Sequence, residues 1–148
     1  MPKPIHGQTW DGKPISATPP YGATIIVFRI VEGRHEFLVL HRAIKDIDDH
    51  DDWAWTPPSG ARYPGEPMGD CARRELYEET GLLATIQRVS DNEQDWWVYM
   101  AEANVADQIH LSAEHDRYDW VNLSDASKMC QPDYVGSVFG FVAQKIGL

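Results

Sequence analysis

Between Gly60 and Leu82 the chain reads G-x5-E-x7-R-E-L-x-E-E-x-G-L, with Gly60, Glu66, Arg74, Glu75, Leu76, Glu78, Glu79, Gly81 and Leu82 at the written positions. No other stretch constrains the fold so tightly, because three glutamates and an arginine within a few residues must share one side of the element that carries them. Pro64-Gly65 signals a turn, and Glu66 stands where a helix would open, its carboxylate at the positive end of the dipole. Pro67 suits the first turn because its missing N–H has no partner there. Residues 68–80 are mostly good helix formers and Gly81 supplies a left-handed stop, so the pattern predicts a helix over 68–80.

At about 100° per residue, Arg74, Glu75, Glu78 and Glu79 project within an arc of roughly 140°, while Ala72 and Leu76 sit beside it and face a core. Three carboxylates crowded on one face repel one another. The arrangement becomes favourable when hard divalent cations bind, and Mg2+ or Mn2+ prefer oxygen ligands. Arg74, four residues before Glu78, can orient a carboxylate and offset part of the repulsion. A charge run ordinarily marks a solvated helix face; the register of Gly60, Glu66 and Gly81 with this one favours the metal site.

The remaining chain sets bounds. A length of 148 residues fits one domain with a single substantial core, and residues 1–148 are read as one unit with 1–20 as an arm or edge hairpin. No apolar run approaches a membrane span, and Met1-Pro2-Lys3-Pro4-Ile5-His6 lacks the apolar core of a signal peptide, so the expected compartment is the cytoplasm. A net charge of −10 argues against nonspecific binding to nucleic acid. Part of that acidity falls in Asp46, Asp48, Asp49, Asp51 and Asp52, which lack the glycine and closing glutamate of a calcium loop and read as a solvated connection. Cys71 and Cys130 have no C-x-x-C spacing and are read as free thiols.

Along the chain, residues 23–30 and 35–41 are apolar, β-branched runs joined by Val31-Glu32-Gly33-Arg34, which predicts an antiparallel pair. Asp11-Gly12 is a possible hairpin turn. Residues 82–89, 95–102 and 119–121 read as further strands, Ser124-Asp125-Ala126 as a helix start, and 134–146 as an amphipathic helix with Val138, Phe141, Val142 and Ile146 at helical spacing. Mixed strands with helices after the Gly60–Leu82 pattern and at the end point to an α/β sandwich. A nucleobase needs an aromatic face; Trp96, Trp97 and Tyr99 share one strand whose neighbours point to opposite sides, so part of the set can line a pocket and the rest is core. His41, Arg42 and Lys45, at a strand end, can meet phosphates or form a solvated basic patch.

The pattern resembles the Nudix box, the signature of hydrolases that cut nucleoside diphosphates linked to another moiety. That resemblance implies an α/β/α sandwich with a central mixed sheet and the box as a loop-helix-loop. Trp55-Thr56-Pro57-Pro58-Ser59-Gly60 before the box, and Glu114-His115-Asp116-Arg117-Tyr118-Asp119-Trp120 after it, are similar to the diadenosine tetraphosphate hydrolase branch, which reads W-x-x-P-K-G and E-H-x-x-Y-x-W. Ser59 departs from the lysine usual there. By the family's pattern Glu75, Glu78 and Glu79 would hold Mg2+ or Mn2+, with the backbone carbonyl of Ser59 and Glu114 as further ligands. Arg74 would orient the carboxylates and Glu66 would brace the loop. Glu79 or Glu114 is the candidate general base, and Tyr134 lies where this branch often places a stacking aromatic. The implied partner is a small nucleotide, without nucleic acid or membrane, and the chain would be monomeric or homodimeric. Diadenosine tetraphosphate is the leading substrate; a nucleoside, deoxynucleoside or pterin triphosphate is the alternative, and a catalytically silent nucleotide sensor a third reading.

Overall fold

Strand β1 (Gly22–Val31) is the spine of the sheet, and its run from Ala23 to Phe28 is buried on both faces. Such a strand needs continuous apolar character rather than alternation, which is what ATIIVF supplies. A computed structural model describes residues 9, 12–43, 53–89 and 95–148. After β1 come β2 (Arg34–Arg42), β3 (Trp55–Thr56), β4 (Ser59–Ala61), α1 (Met68–Thr80), β5 (Ile86–Arg88), β6 (Trp96–Glu102), β7 (His115–Val121), α2 (Leu123–Met129) and α3 (Asp133–Lys145). The strands form one mixed sheet. The run of aspartates at 46–52 lies outside the described residues, as does Asp11 of the expected hairpin turn, though Thr9 and Lys13 are joined by a 2.8 Å backbone bond.

The two long strands pair only at one end. Phe28 to Val31 faces Arg34 to Phe37 across a turn in which Glu32 and Gly33 both have positive φ (50° and 79°), as a tight hairpin of right-handed twist requires. Beyond that the strands part. β6 runs parallel along one edge of β1, and β7 runs antiparallel along one edge of β2. The freed inner edges take β4 (Thr24↔Ser59) and β3 (Leu40↔Thr56) instead. The segment from Trp55 to Ala61 is thereby wedged between the diverging strands, and it leads directly into α1.

Alternate residues of β1 and β2 serve two cores. Ile25, Val27, Leu38 and Leu40 pack with Cys71, Ala72 and Leu76 of α1. Ile26, Phe28, Phe37 and Val39 pack with Val135, Phe139 and Val142 of α3, where Phe37 and Phe139 meet edge to face at 6.0 Å. The sandwich of helix, mixed sheet and helices is the architecture expected. Helix α1 has the expected bounds and stops at Gly81 in the left-handed region (φ 76°). Both cysteines are free and buried, and burial pushes each thiol up to about 12. No helix among the described residues is long and apolar enough to cross a membrane.

Two strands differ from expectation. The strand read over 82–89 shrinks to Ile86–Arg88, because only that stretch finds the edge of β6. The strand read over 119–121 begins instead at His115, because the edge of β2 extends pairing into a polar stretch with no apolar pattern of its own. Helix α2 starts at Leu123, capped by Asn122, whose side-chain oxygen accepts from the Asp125 amide at 2.8 Å.

The arm at 13–20 is tied to the segment before α1 by Arg62. Its Nε donates to the Pro20 carbonyl (2.7 Å), its Nη2 to Ser16 Oγ (2.8 Å) and the Thr18 carbonyl (3.1 Å), and its Nη1 to the Glu66 carbonyl (3.1 Å). The Arg62 carbonyl in turn accepts from the Ser16 amide at 2.7 Å.

Gly136 and Gly140 make a paired test of packing on α3. A Cβ on Gly136 would run into the backbone carbonyls of Ser127 and Cys130, whereas one on Gly140 meets open space. Gly136→Ala should lower the unfolding free energy by about 1–3 kcal/mol through overpacking. Gly140→Ala should raise it by up to about 1 kcal/mol through helix propensity. Urea midpoints of the two variants against the parent check both signs.

Candidate active site

The wedge and the helix meet at a glycine. A Cβ on Gly60 would overlap the Glu75 carboxyl group, and one on Gly22 would strike the Gly60 carbonyl and the Trp96 ring. Bare backbone at both positions lets the loop lie flat on β1 and brings it against the acidic face of α1.

Arg74 organises that face. Its Nε and Nη2 donate to the two oxygens of Glu66, each at 2.8 Å, in the fork geometry that suits a carboxylate. Its Nη1 donates to Glu75 Oε1 at 2.7 Å and to Glu78 Oε2 at 3.3 Å, and Nη2 also reaches the Ala61 carbonyl at 2.8 Å. The guanidinium carbon stands 3.7 Å from the centre of the Tyr63 ring. Glu66 further accepts from the Tyr63 amide at 3.1 Å. Burial works against the Glu66 charge, yet these bonds hold its carboxyl below the usual range. Glu66 thus ties the loop to the helix through the Tyr63 amide and Arg74.

Past Arg74 the described residues bring little positive charge to this face. Glu79 is only 3 % exposed; its Oε2 accepts from the Ser59 amide at 2.9 Å, and its Oε1 lies 3.7 Å from His115 Nε2. One ligand atom from each of Glu79, Glu114 and His115 falls within 4.8 Å of the others. Burial first, and then the surrounding carboxylates, raise Glu79 well above an ordinary glutamate. Burial likewise raises Glu75 to about 7, against the pull of Arg74. Burial and the charges of Arg42 and His41 lower His115 to about 4, so its ring is neutral. Glu78, by contrast, is largely exposed at the rim.

Other candidates are placed apart. Arg42 is the strand partner of His115 and so stands at the edge of the cluster. Lys45 lies outside the described residues. Tyr99 is buried in the core beneath α1, and Trp97 packs against the same core with the Arg88 guanidinium 3.5 Å over its ring, so both belong to the packed part of the aromatic set. Tyr134 is 57 % exposed in the first turn of α3, edge to face with Trp53 at 5.7 Å. His41 is paired with Asp116 (2.8 Å) and stacked edgewise on Trp55 (4.9 Å). Two features escaped the sequence reading. His115 served there only as a letter of the pattern, and Arg62 and Tyr63 occupy unspecified positions of the box.

Residues 20–137 match the NUDIX domain family. The chain belongs to the Nudix family. It is similar to the asymmetrical bis(5'-nucleosyl)-tetraphosphatase of Caenorhabditis elegans, 27 % identical over 78 % of this chain and 88 % of that protein. It is also similar to the Rattus norvegicus protein of the same name, 36 % identical over 52 % of this chain and 61 % of the relative. A crystal structure of a C. elegans Ap4A hydrolase binary complex superposes with a TM-score of 0.66 at 26 % identity, covering 84 % of this chain and 96 % of that one. The chain is a Nudix hydrolase, and in three dimensions its Nudix box gathers Glu66, Glu75 and Glu78 around Arg74, with Glu79 beyond them against the Ser59 amide.

The raised carboxyls predict how stability follows pH. Glu75 and Glu79 both titrate above the ordinary 4.5, so the folded state holds protons that the unfolded state releases. Their stabilising contribution is complete below that value and is lost as pH rises through 7 and beyond. Metal-free protein in chelator should therefore melt at a lower temperature at about pH 8.5 than at about pH 6. Glu79→Gln, with no proton to lose at that position, should flatten the dependence in the same thermal scans.

Proposed function

We propose that this Nudix hydrolase cleaves a phosphoanhydride bond in a nucleoside-diphosphate-linked compound, with Mg2+ or Mn2+ as cofactor. Its proposed substrate is a dinucleoside polyphosphate such as diadenosine tetraphosphate, giving ATP and AMP. The observation that carries the reading is the burial of Glu75 and Glu79 beside Glu114, with Arg74 committed to Glu66 and Glu75. Carboxylates so placed need cations, and their oxygens suit a hard divalent ion. Glu75, Glu78, Glu79 and Glu114 would hold it, with the Ser59 carbonyl as a further ligand. The names of the relatives support the dinucleotide.

When bound, a divalent ion screens the phosphate oxygens and makes water more acidic. The chain's own residues do the rest. Glu79 or Glu114 takes the proton from the attacking water as its oxygen bonds to phosphorus, and the anhydride P–O bond breaks with its electrons leaving on the departing phosphate. Burial and the neighbouring carboxylates raise the proton affinity of the Glu79 carboxyl above that of an ordinary glutamate, the direction a general base requires. Arg74 and Glu66 keep the loop and helix in register, Arg42 meets phosphate oxygens, and exposed Tyr134 offers a face to a base.

Ser59 supports a second reading. With serine where the dinucleotide branch usually has lysine, a cation able to contact phosphate is missing, which favours a nucleoside, deoxynucleoside or pterin triphosphate.

Glu79→Gln keeps the shape of the side chain but removes its charge, and should cut kcat by about 10²–10⁴ without unfolding the protein. Phosphate-release assays paired with circular dichroism check this, and a variant keeping a third of the parent rate removes Glu79 from the mechanism.

The substrate is tested by chromatography of products. Diadenosine tetraphosphate should exceed ATP and dATP in kcat/KM by at least roughly tenfold, about 1.4 kcal/mol in the transition state. Ser59→Lys should raise the dinucleotide rate. Equal or better turnover of the triphosphates transfers the assignment to the second reading.

A further inference from the structure

His115 is a buried imidazole with unmet bonding capacity. It is 5 % exposed, its Nδ1 is buried without a partner among the described residues, and its Nε2 faces Glu79 Oε1 at 3.7 Å, too far for a hydrogen bond. Buried imidazoles normally satisfy at least one ring nitrogen. The Glu79 oxygen that faces it is held in place, because the other oxygen is anchored by the Ser59 amide. A gap of this size is one that two donor atoms with bonds of about 2.1 Å can span by sharing an ion.

The backbone explains how Glu114 and His115 come to serve one point. Neighbours in a regular strand project to opposite faces. Here Glu114 belongs to the turn before β7, and β7 opens on an irregularity: Arg42 pairs with His115 and His41 with Arg117, so Asp116 is an extra residue. A bulge of this kind re-aims side chains. It turns His115 inward, within 4.8 Å of both Glu79 and Glu114.

We propose that Glu79, Glu114 and His115 form a mixed nitrogen–oxygen metal site in which His115 is a direct ligand, and that this site prefers first-row transition ions to Mg2+. The proposal rests on the reading of Glu79 and Glu114 as metal-holding residues and adds the nitrogen donor and the selectivity. Imidazole contributes little to Mg2+, which keeps oxygen ligands and waters, whereas affinity for nitrogen rises from Mn2+ towards Co2+ and beyond.

The test uses the full, untagged chain with its histidines labelled with 15N, and Mn2+ as a paramagnetic probe. Pulsed electron paramagnetic resonance at one equivalent of Mn2+ should show a histidine nitrogen coupled to the ion, changing between 14N and 15N protein and disappearing in His115→Gln. By calorimetry, His115→Gln should weaken Co2+ binding by at least about tenfold and Mg2+ binding by less than about twofold. If that variant folds poorly, His115→Ala replaces it for assigning the nitrogen, while absence of coupling in the labelled parent is decisive without any variant. Bound Mn2+ with no nitrogen coupling overturns the role of His115 and leaves the glutamate site standing. Coupling that persists in His115→Gln assigns the nitrogen to another histidine and likewise overturns it. Failure of Mn2+ to bind the parent chain at millimolar concentration removes the glutamate metal site itself, and this proposal with it.

Discussion

Glu75 and Glu79 lie on successive turns of a helix whose apolar side is locked into the core, so their carboxyl groups are carried out of water with it. Withdrawing a carboxylate from solvent costs several kcal/mol unless charge and hydrogen bonds replace the lost hydration. One guanidinium supplies most of that replacement. Arg74 grips Glu66 in a fork, holds Glu75 through a third nitrogen contact and rests on the Tyr63 ring. Among the described residues Glu79 receives only the Ser59 amide and a distant imidazole. The compensation is thus uneven along the helix, and the uncompensated end is where Glu114 and His115 arrive from β7.

That unevenness depends on the way the sheet is split. Had β1 and β2 paired along their whole length, no room would exist for the Trp55 to Ala61 segment. Their divergence after Phe37 exposes two inner edges, and β3 and β4 occupy them. Gly22 and Gly60 then allow contacts so close that any side chain would separate loop from sheet or loop from helix. Arg62 secures the same loop from its other side, with its donors spent on the arm and on the Glu66 carbonyl. The loop is held by sheet, arm and helix together, which suits a site whose backbone amide must meet one particular carboxylate oxygen.

Much of this was legible in the residues. Helix α1 could be bounded at both ends because its signals are local: Pro67 at the entry, Gly81 at the exit and the spacing of Ala72 and Leu76 between them. Strands β1 and β2 and their turn announced themselves through β-branched runs about Glu32-Gly33. The cluster of box glutamates around Arg74 followed from helical geometry, since residues three and four apart must be neighbours. The sorting of Trp97, Tyr99 and Tyr134 did not follow, because an aromatic ring reads the same in sequence whether it fills a core or faces solvent.

Composition and short-range pattern therefore determined the acidic helix, the apolar hairpin before it and the sandwich class that can accommodate both. Tertiary structure decided which side of each strand found a neighbour: that β7 starts early at His115, that the strand after α1 is reduced to Ile86–Arg88, and that Arg62 clasps the arm. It also decided that His115, more than thirty residues beyond Glu79 in the chain, closes on that carboxylate. Helical periodicity is written in residues a turn apart, but pairing along a sheet edge and the approach of a bulge to a helix depend on residues far apart in sequence, and only folding brings them within reach of one another.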